Sequence, residues 1–357
     1  MPEPFRRHNH FVSRCYLEPW ETETGKTWTF RLLVPHEKSR IWKPYSAKSV
    51  AWHSNLYTQI IAGSESDEIE RWFDREFESP AKESLRKATT DKRLTPEDWK
   101  RLIRFVAAQD VRTPAWLVNQ MKRLDETLPQ MMKDTMEKSI DRLEKAVKTG
   151  TPVQPLPQLH ASEQQGFPIR TTITKLPTGG GELKAEILVG RQLWLWSMKR
   201  ALTRTIRALH QHRWTILKPA KPMSFVTSDN PVIRLNYKSA SDYNFNGGWG
   251  SRRTNIILPL GPQHLLFTQI GDRPPLRGER MSEEQTHLMR RFTAEHAWRK
   301  VFAREPDNEI PVLRPRFVSS VEFERERQQW AMWHDQQTAA EKEMALDSRV
   351  SSVNPRF

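Results

Sequence analysis

The chain has 357 residues, which is long enough for two domains or one large domain. Its 57 Lys and Arg against 43 Asp and Glu give a net charge of +14, which favours an anionic partner such as nucleic acid, although a basic surface can also serve solubility alone. No apolar run is long enough to span a membrane, and the single cysteine, Cys15, excludes an intrachain disulfide, so we expect a soluble cytoplasmic protein without a membrane partner.

The N-terminal part of the sequence predicts short strands followed by two capped helices. Residues 27–34 are rich in aromatic and β-branched side chains and predict a strand, with a second short strand at 49–52. A helix is expected over residues 66–90. Another helix begins at a capping sequence that starts with Thr95 and ends before Pro114.

The remainder of the chain combines long helices with a strand-rich segment. Residues 115–148 predict a helix with a methionine-rich stripe that should pack in the core, and the proline- and glycine-rich residues 149–181 predict a loop. Helices are also expected at 190–212 and at 282–303, the second opened by a capping box of Ser282 and Gln285, whereas 239–253 predicts a mobile loop. Alternating apolar residues predict strands at 214–217, 224–227, 255–260 and 265–270.

These elements predict an α+β fold, with N-terminal short strands, central long helices and a C-terminal antiparallel β region with flanking helices. We expect one domain over residues 1–303, with a candidate sub-boundary near 150–181. A charged tail at 304–357 should follow, helical around Trp330 and disordered at its end.

Polar side chains in the helix at 66–90 occupy positions near its apolar face. At about 100° per residue, Glu76 lies about 20° from Ile69, so a straight helix would turn Glu76 toward the core. Glu70 lies at the edge of the same stripe, near Phe77. A carboxylate in the core must be paired, hydrogen-bonded or bound to a metal.

The helix that begins after Thr95 shows the same pattern near its end. Measured from Trp99, Asp110 lies at about 20° and Thr113 at about 320°, inside the apolar stripe, and Gln109 flanks the stripe at about 280°. Arg112 is adjacent and could pair with a carboxylate or a phosphate. The alternative is a buried structural ion pair between the two helices.

Two further segments carry candidate groups. Ser228, Asp229 and Asn230 follow a strand and form a turn, where functional groups are common, although Asp and Asn before proline are also ordinary turn residues. Near the N-terminus, His10 could bind a metal or carry a proton, or it could anchor the segment structurally.

A basic ridge is expected on the helix at 190–212. Arg200, Arg204 and Arg207 recur on successive turns, nearly opposite the apolar face. The ridge could contact a phosphate backbone, or it could be an ordinary solvated helix face.

Five segments occur in an order that resembles a known family: HFVSRCYLEPW, SAKSVAWHSNLY, the helix DEIERWF, FVAAQDVRTP and FVTSDNPV. Together, over about residues 8–303, they resemble domain-of-unknown-function family 4238, which is widespread in bacteria. His10 and Tyr16-Leu17 match the family's first motif, while Ser13 stands where proline is usual. The other matching positions are Glu70, Glu76, Gln109, Arg112, Thr113, Pro114, Ser228, Asp229, Asn230 and Pro231. The resemblance implies a shared fold and a shared site, with no assigned reaction.

The leading functional hypothesis is a nucleic-acid-directed hydrolase, either a metal-dependent nuclease or a phosphodiesterase. Glu76, Arg112, Asp229 and Asn230 would be its catalytic residues, and a divalent metal ion would be held by His10, Glu76 and Asp229. Substrate contacts would come from His10, Glu70, Gln109, Thr113, Ser228 and the three ridge arginines. The alternatives are a non-catalytic nucleic-acid-binding module and a protein-interaction or defence-associated sensor. The sequence leaves the oligomeric state open.

Overall fold

A computed structural model of the chain describes residues 4–61, 63–151, 167–177 and 181–351. The described part contains both helices and antiparallel sheets, so the predicted α+β class is confirmed. The chain divides into two compact units. Unit 1 comprises Met1–Gln59, Glu65–Trp116 and Met198–His334, and unit 2 comprises Ile60–Ser64, Leu117–Ser197 and Asp335–Phe357.

The helices of the described residues vary from single turns to long rods. The α-helices are α1 (Arg14–Leu17), α2 (Glu68–Phe73), α3 (Ser79–Thr89), α4 (Pro96–Val111), α5 (Pro114–Thr149), α6 (Arg191–Thr203), α7 (Glu283–His296), α8 (Ile310–Leu313) and α9 (Ser320–Ser351). A π turn over Asp74–Glu78 joins α2 to α3, and 3₁₀ helices lie at Glu18–Trp20, Ala47–Ser49 and Thr205–Gln211.

The strands of the described residues are mostly short. They are β1 (His8–His10), β2 (Thr27–Arg31), β3 (Leu33–Val34), β4 (Trp42–Tyr45), β5 (Trp52–Ser54), β6 (Gln59–Ile61), β7 (Ser64–Ser66), β8 (Ile169–Lys175), β9 (Gly181–Ile187), β10 (Thr215–Leu217), β11 (Thr227–Ser228), β12 (Ile233–Ser239), β13 (Asp242–Asn244), β14 (Thr254–Gly261), β15 (His264–Gln269), β16 (Lys300–Ala303) and β17 (Phe317–Val318).

Unit 1 contains two antiparallel sheets that organise its core. The larger sheet has the strand order β10-β15-β14-β12-β13, and the smaller has the order β11-β16-β2-β4. The apolar cluster at the smaller sheet includes Phe30, Val226, Val301 and Ile310. Ile310, from the segment expected to be a tail, is thus buried in this core, where it adds to the hydrophobic stabilisation.

Unit 2 contains the hairpin of β8 and β9 and a buried ion pair. The two strands pair in register from Ile169 opposite Ile187 to Lys175 opposite Gly181. Arg191, at the start of α6, donates from Nε and Nη2 to the carboxylate of Glu341 at 3.0 and 2.7 Å. Because both side chains are almost fully buried, the fork-shaped pair leaves neither charge uncompensated.

Two helix caps agree with the sequence prediction, because they depend on local side-chain chemistry. Thr95 and Asp98 form the expected capping box at the start of α4. Ser282 and Gln285 form another at the start of α7. Each box satisfies backbone N–H groups that the first helical turn leaves without partners.

Several predicted elements are wrong in their ends or type. The helix expected to reach residue 303 ends at His296, and residues 300–303 pair with β2 as strand β16. Strand β13 lies inside the expected loop 239–253, and β8 lies inside the expected loop 149–181. Pairing with a distant segment decides β16, whereas β8 and β13 each pair with a neighbouring strand in a hairpin, which local composition did not reveal.

The methionine-rich stripe of α5 is not the expected core seam throughout. Met131 is 59% exposed, and Ile140 and Leu143 are about as open. An apolar stripe identifies one face of a helix but does not show whether another element covers it. The glycine turn at 179–180, much of the proline-rich loop and the chain end beyond Ser351 lie outside the described residues.

Among the helices of the described residues, none is both long enough and apolar enough to cross a bilayer.

Candidate functional site

The C-terminal end of α4 is a buried polar hub in unit 1. Gln109, Asp110, Arg112 and Thr113 are all buried, although polar side chains of this kind usually lie at the surface. The helix ends at Val111 and Arg112 takes the C-cap position, because Pro114 begins the next helix. Successive side chains therefore point in different directions, and each has its own partners.

Gln109 holds the N-terminal segment against α4. Its Nε2 donates to the carbonyl oxygen of Phe11 at 2.7 Å, and its Oε1 accepts from the backbone N–H of Ser13 at 3.1 Å. The side-chain amide thus satisfies a backbone carbonyl and a backbone N–H of the N-terminal segment. Gln109, which was predicted to contact substrate, therefore has a structural role.

Arg112 is the central cation of the hub. Its side chain is 1% exposed, and its Nη1 donates to Oε1 of Glu78 at 2.5 Å. Nη2 donates to the carbonyl oxygen of His10. The guanidinium carbon lies 4.7 Å from the ring centre of Phe73, and Tyr57 Oη donates to the backbone carbonyl of Arg112 at 2.6 Å. The charge of Glu78 raises the pKa of Arg112 against the opposing effect of burial.

The partner of Arg112 is Glu78, which the sequence did not single out. The π turn inserts about one extra residue into the helix, which rotates the following residues by about 100° relative to a straight α-helix. Glu70 and Glu78 are eight positions apart in the sequence, so in a straight α-helix their side chains would point in directions that differ by about 80°. The extra residue turns the two side chains to nearly the same side of the helix. Nothing in the helical periodicity of the sequence signals this turn.

The same rotation removes Glu76 from the core. Its side chain is 41% exposed, and its carboxylate pairs with Arg104 at 3.3 Å and with Arg75 at 3.5 Å. The expectation that Glu76 faces inward beside Arg112 is therefore wrong, because it assumed an uninterrupted α-helix.

We call His10, Glu70, Glu78 and Arg112 the carboxyl cluster. Burial, reinforced by the charge of Glu78, raises the pKa of Glu70 from 4.5 to about 8, although Arg112 opposes the rise. Burial and the charge of Arg112 lower the pKa of His10 to about 4. These two pKa shifts favour the protonated carboxyl of Glu70 and the neutral imidazole of His10 near neutral pH.

The carboxyl cluster retains hydrogen-bonding capacity. His10 Nδ1, Glu70 Oε2 and Arg112 Nε are buried atoms without a hydrogen-bond partner among the described residues. Ser13, which stands where the resemblance expects proline, donates from Oγ to Glu78 Oε2 at 2.9 Å. Buried unsatisfied atoms are rare, and three within one cluster mark it as a candidate site.

Thr113 connects the hub to the turn after β11. Its hydroxyl donates to Oδ1 of Asn230 at 3.1 Å, and Nδ2 of Asn230 donates to the carbonyl oxygen of His296 at 3.1 Å. Ser228 Oγ accepts from the backbone N–H of Asn230 at 3.2 Å. These contacts bring Thr113, Ser228 and Asn230 together as predicted, within a buried network.

Asp229 turns toward the start of β16. Its two carboxylate oxygens each accept a backbone N–H, from Trp298 and Arg299, at 2.8 Å. Burial raises the pKa of Asp229 to about 6, opposed by the charge of Lys300 and by these two hydrogen bonds. Asp229 therefore fixes the chain between α7 and β16.

Asp110 performs a similar task for the larger sheet. Its Oδ2 accepts from Trp249 Nε1 at 2.7 Å and lies 3.4 Å from Nε of Arg234 on β12. Burial raises the pKa of Asp110, and the charge of Arg234 opposes the rise. This aspartate thus ties a long loop and a strand to the hub.

The predicted metal ligands His10, Glu76 and Asp229 do not gather. Within the part of the chain that the structure describes, no group of three or more His, Cys, Asp or Glu side chains has the arrangement to hold a metal ion. Their different partners explain this: Glu76 pairs with arginines outside the core, and Asp229 is capped by backbone amides.

The three arginines of the predicted ridge are exposed but do not lie on one continuous α-helix. Arg200 lies in α6, Arg204 follows the end of that helix, and Arg207 lies in the 3₁₀ helix. A 3₁₀ turn advances about 120° per residue, so the regular row expected from α-helical spacing is interrupted.

A basic groove, which the sequence did not indicate, lies elsewhere on unit 1. It encloses about 790 Å³ and is lined by Pro96, Trp99, Lys100, Ile103, His210, His212, Arg213, Trp214, Thr215, Arg273, Pro274, Pro275, Leu276 and Arg277. Four of these side chains are permanent cations, and no Asp or Glu occurs among the described lining residues. Such a groove concentrates positive potential on any occupant.

The groove also offers aromatic faces and an unused hydroxyl. Trp99 and Trp214 are half-buried, and the guanidinium of Arg277 lies 6.0 Å from the ring centre of Trp99. Thr215 Oγ1 is buried without a hydrogen-bond partner among the described residues. Trp99 was assigned to an apolar stripe, because periodicity does not distinguish a core tryptophan from one that lines a groove.

Comparisons with known proteins agree with the motifs in the sequence. A profile of the family described as "Protein of unknown function (DUF4238)" matches residues 8–307. No curated protein and no solved structure is significantly similar to the chain. The matched residues include the whole hub, the carboxyl cluster and the basic groove.

Proposed function

This chain belongs to domain-of-unknown-function family 4238, and we propose that it is a cytoplasmic protein that binds single-stranded nucleic acid in the basic groove. The observation that carries the proposal is the combination of four cations and two tryptophans along one groove without an acidic lining residue. Cations neutralise phosphates, and aromatic rings stack with unpaired bases.

The groove supports a single strand better than a duplex. In duplex DNA the bases are stacked on one another, so the tryptophans of the groove could contact only its sugar–phosphate backbone. A single strand exposes a π-face at every base, and stacking on one aromatic side chain contributes about 1–3 kcal/mol per base.

The test is fluorescence anisotropy with labelled oligo(dT) and oligo(U) at several salt concentrations. For Arg213→Gln combined with Arg273→Gln, we expect weaker binding and a flatter salt dependence, by about 0.7 in log–log slope for each lost phosphate contact. Lys43→Gln with Lys48→Gln removes the same charge outside the groove and serves as the matched control. Equal losses in both double variants would refute the groove as the binding site.

Stacking can be separated from charge by a second variant. Trp99→Leu should weaken binding by about 5- to 150-fold, in line with the loss of stacking on one base, and leave the salt slope unchanged. A change confined to the salt slope would mean that Trp99 only positions the neighbouring cations, and the stacking argument would be wrong.

Hydrolysis of the bound strand is the second candidate function. It is favoured by the carboxyl cluster, where Glu70 with a pKa of about 8 could donate a proton while Glu78 accepts one. Lys100 in the groove and Arg112 are twelve residues apart on α4, about 18 Å along the helix, so a substrate would have to extend from one to the other.

A cleavage screen tests this second candidate. RNA, single-stranded DNA and duplex are incubated with and without added Mg²⁺ or Mn²⁺, which separates cleavage by proton transfer alone from metal-assisted cleavage. Glu70→Gln should abolish cleavage, whereas Glu76→Gln, on the exposed face of the same helical segment, should retain it. Cleavage that survives Glu70→Gln would exclude Glu70 as the proton donor.

A further inference from the structure

A second cavity of unit 1 lies between the larger sheet and α7, and we call it the sheet–helix cavity. It encloses about 240 Å³. Its lining residues are Leu217, Leu235, Tyr237, Asn255, Phe267, Pro275, Glu279, Arg280, Met281, Gln285, Leu288, Met289 and Phe292. The walls are therefore mainly aliphatic and aromatic, which is the usual composition of a small-molecule site.

The pleat of the sheet and the pitch of the helix produce this lining. Leu235 lies opposite Asn255 in the pairing of β12 with β14, and Phe267 lies opposite Ile257 on the next strand. Residues two apart on a strand share a face, so Asn255 stands on the same face as Leu235 and Phe267. On α7, Leu288, Met289 and Phe292 follow helical spacing and face them.

Asn255 is the anomalous member of this face. Its Oδ1 is buried and has no hydrogen-bond partner among the described residues. An apolar residue at this position would avoid a buried acceptor without a donor, which is unfavourable. The position is explained if the cavity receives a molecule that supplies the donor.

The exposed polar side chains that line the cavity form hydrogen bonds elsewhere. Gln285 Oε1 accepts from the N–H of Ser282, Glu279 Oε2 accepts from the N–H of Leu276, and Arg280 Nη1 donates to the carbonyl oxygen of Pro219. None of these bonds involves Asn255, so its Oδ1 can accept a hydrogen bond from a bound molecule.

We propose that the sheet–helix cavity binds an uncharged small molecule with a flat apolar body and one N–H or O–H group that donates to Asn255 Oδ1. The size is suitable, since a cavity of about 150 Å³ holds benzene and this one has room for a bicyclic ring system. Phe267, Tyr237 and Phe292 supply the aromatic walls on which such a body packs. The proposal is independent of nucleic-acid binding, because Pro275 is the only described residue that lines both this cavity and the basic groove.

The experiment compares indole, which carries one N–H, with indene, which has the same bicyclic shape without a donor. The protein is labelled with ¹³C at its methionine methyl groups, and each probe is titrated while methyl NMR signals are recorded. Met281 and Met289 line the cavity and should shift saturably, whereas the exposed Met131 and Met332 should not. Substitution of each cavity methionine by leucine assigns its signal.

The donor is tested by the ratio of the two affinities in the parent and in Asn255→Leu. We expect the preference for indole over indene to fall about tenfold in the variant, which corresponds to the loss of one buried hydrogen bond. An unchanged ratio would overturn the role of Asn255. Absence of saturable shifts at Met281 and Met289 with both probes, measured on the unsubstituted protein, would overturn the site itself.

Discussion

The raised pKa of Glu70 predicts an unusual dependence of stability on pH. Folding favours the protonated carboxyl, because burial raises its pKa from 4.5 to about 8. Between these values the folded chain binds more protons at this group than the unfolded chain. The stability contributed by Glu70 therefore falls as pH rises through this window and stays low above it.

The size of the effect follows from the two pKa values. The interval from 4.5 to about 8 corresponds to about 5 kcal/mol, at about 1.4 kcal/mol for each pH unit. Glu70→Gln replaces the protonated carboxyl by a neutral group of the same shape and cannot ionise. We expect the free energy of unfolding of this variant to be within about 1 kcal/mol of the parent's at pH 5. At pH 8 we expect it to be about 4 kcal/mol higher than the parent's.

The assay is urea unfolding, followed by tryptophan fluorescence, at pH 5, 6.5 and 8. Variant and parent are compared at each pH because other groups titrate as well. The pKa values of His10 and His296 are lowered to about 4, so the stability of the folded protein that depends on their neutral imidazoles is lost as pH falls below 6.5. Glu76→Gln, at a half-exposed position on the same helical segment, is the control and should show no such trend. A stability difference for Glu70→Gln that does not change with pH would refute the reasoning.

Three further predictions concern the hub and its supports. Glu78→Gln should lower the pKa of Glu70, since a like charge is removed and Arg112 loses its main partner. Carboxyl ¹³C NMR measures this pKa, and a value that stays near 8 would contradict the prediction. Trp249→Phe should cost about 1–3 kcal/mol in urea unfolding, because buried Asp110 loses the indole donor at 2.7 Å; an unchanged midpoint would mean that solvent replaces the indole. Thr95→Ala should cost about 1 kcal/mol through loss of the capping box, measured in the same way; no loss would show that Asp98 alone caps the helix.

Local sequence patterns carried much of the secondary structure. The capping boxes at Thr95 and Ser282 were predicted correctly because a cap depends on residues within one turn of the chain. The same locality explains the failures. Residues 300–303 were read as helix, yet their pairing with β2, far away in the sequence, makes them a strand.

The candidate site was predictable in part. The sequence placed Asp110 and Thr113 inside an apolar stripe, with Gln109 beside it and Arg112 adjacent, and all four side chains are buried. It did not show that Arg112 pairs with Glu78 rather than Glu76, because one π turn changes the phase of every later residue in the helix.

The sequence by itself determined the class of fold, the family and the polar residues at the end of α4, because these depend on short-range periodicity and on recognisable motifs. Only the tertiary structure decided which carboxylate meets Arg112, which tryptophans line the basic groove and which asparagine side chain is left without a donor. The reason is physical: the environment of a side chain is set by neighbours that come from distant parts of the chain, and burial by those neighbours controls both its charge and its free hydrogen-bonding capacity.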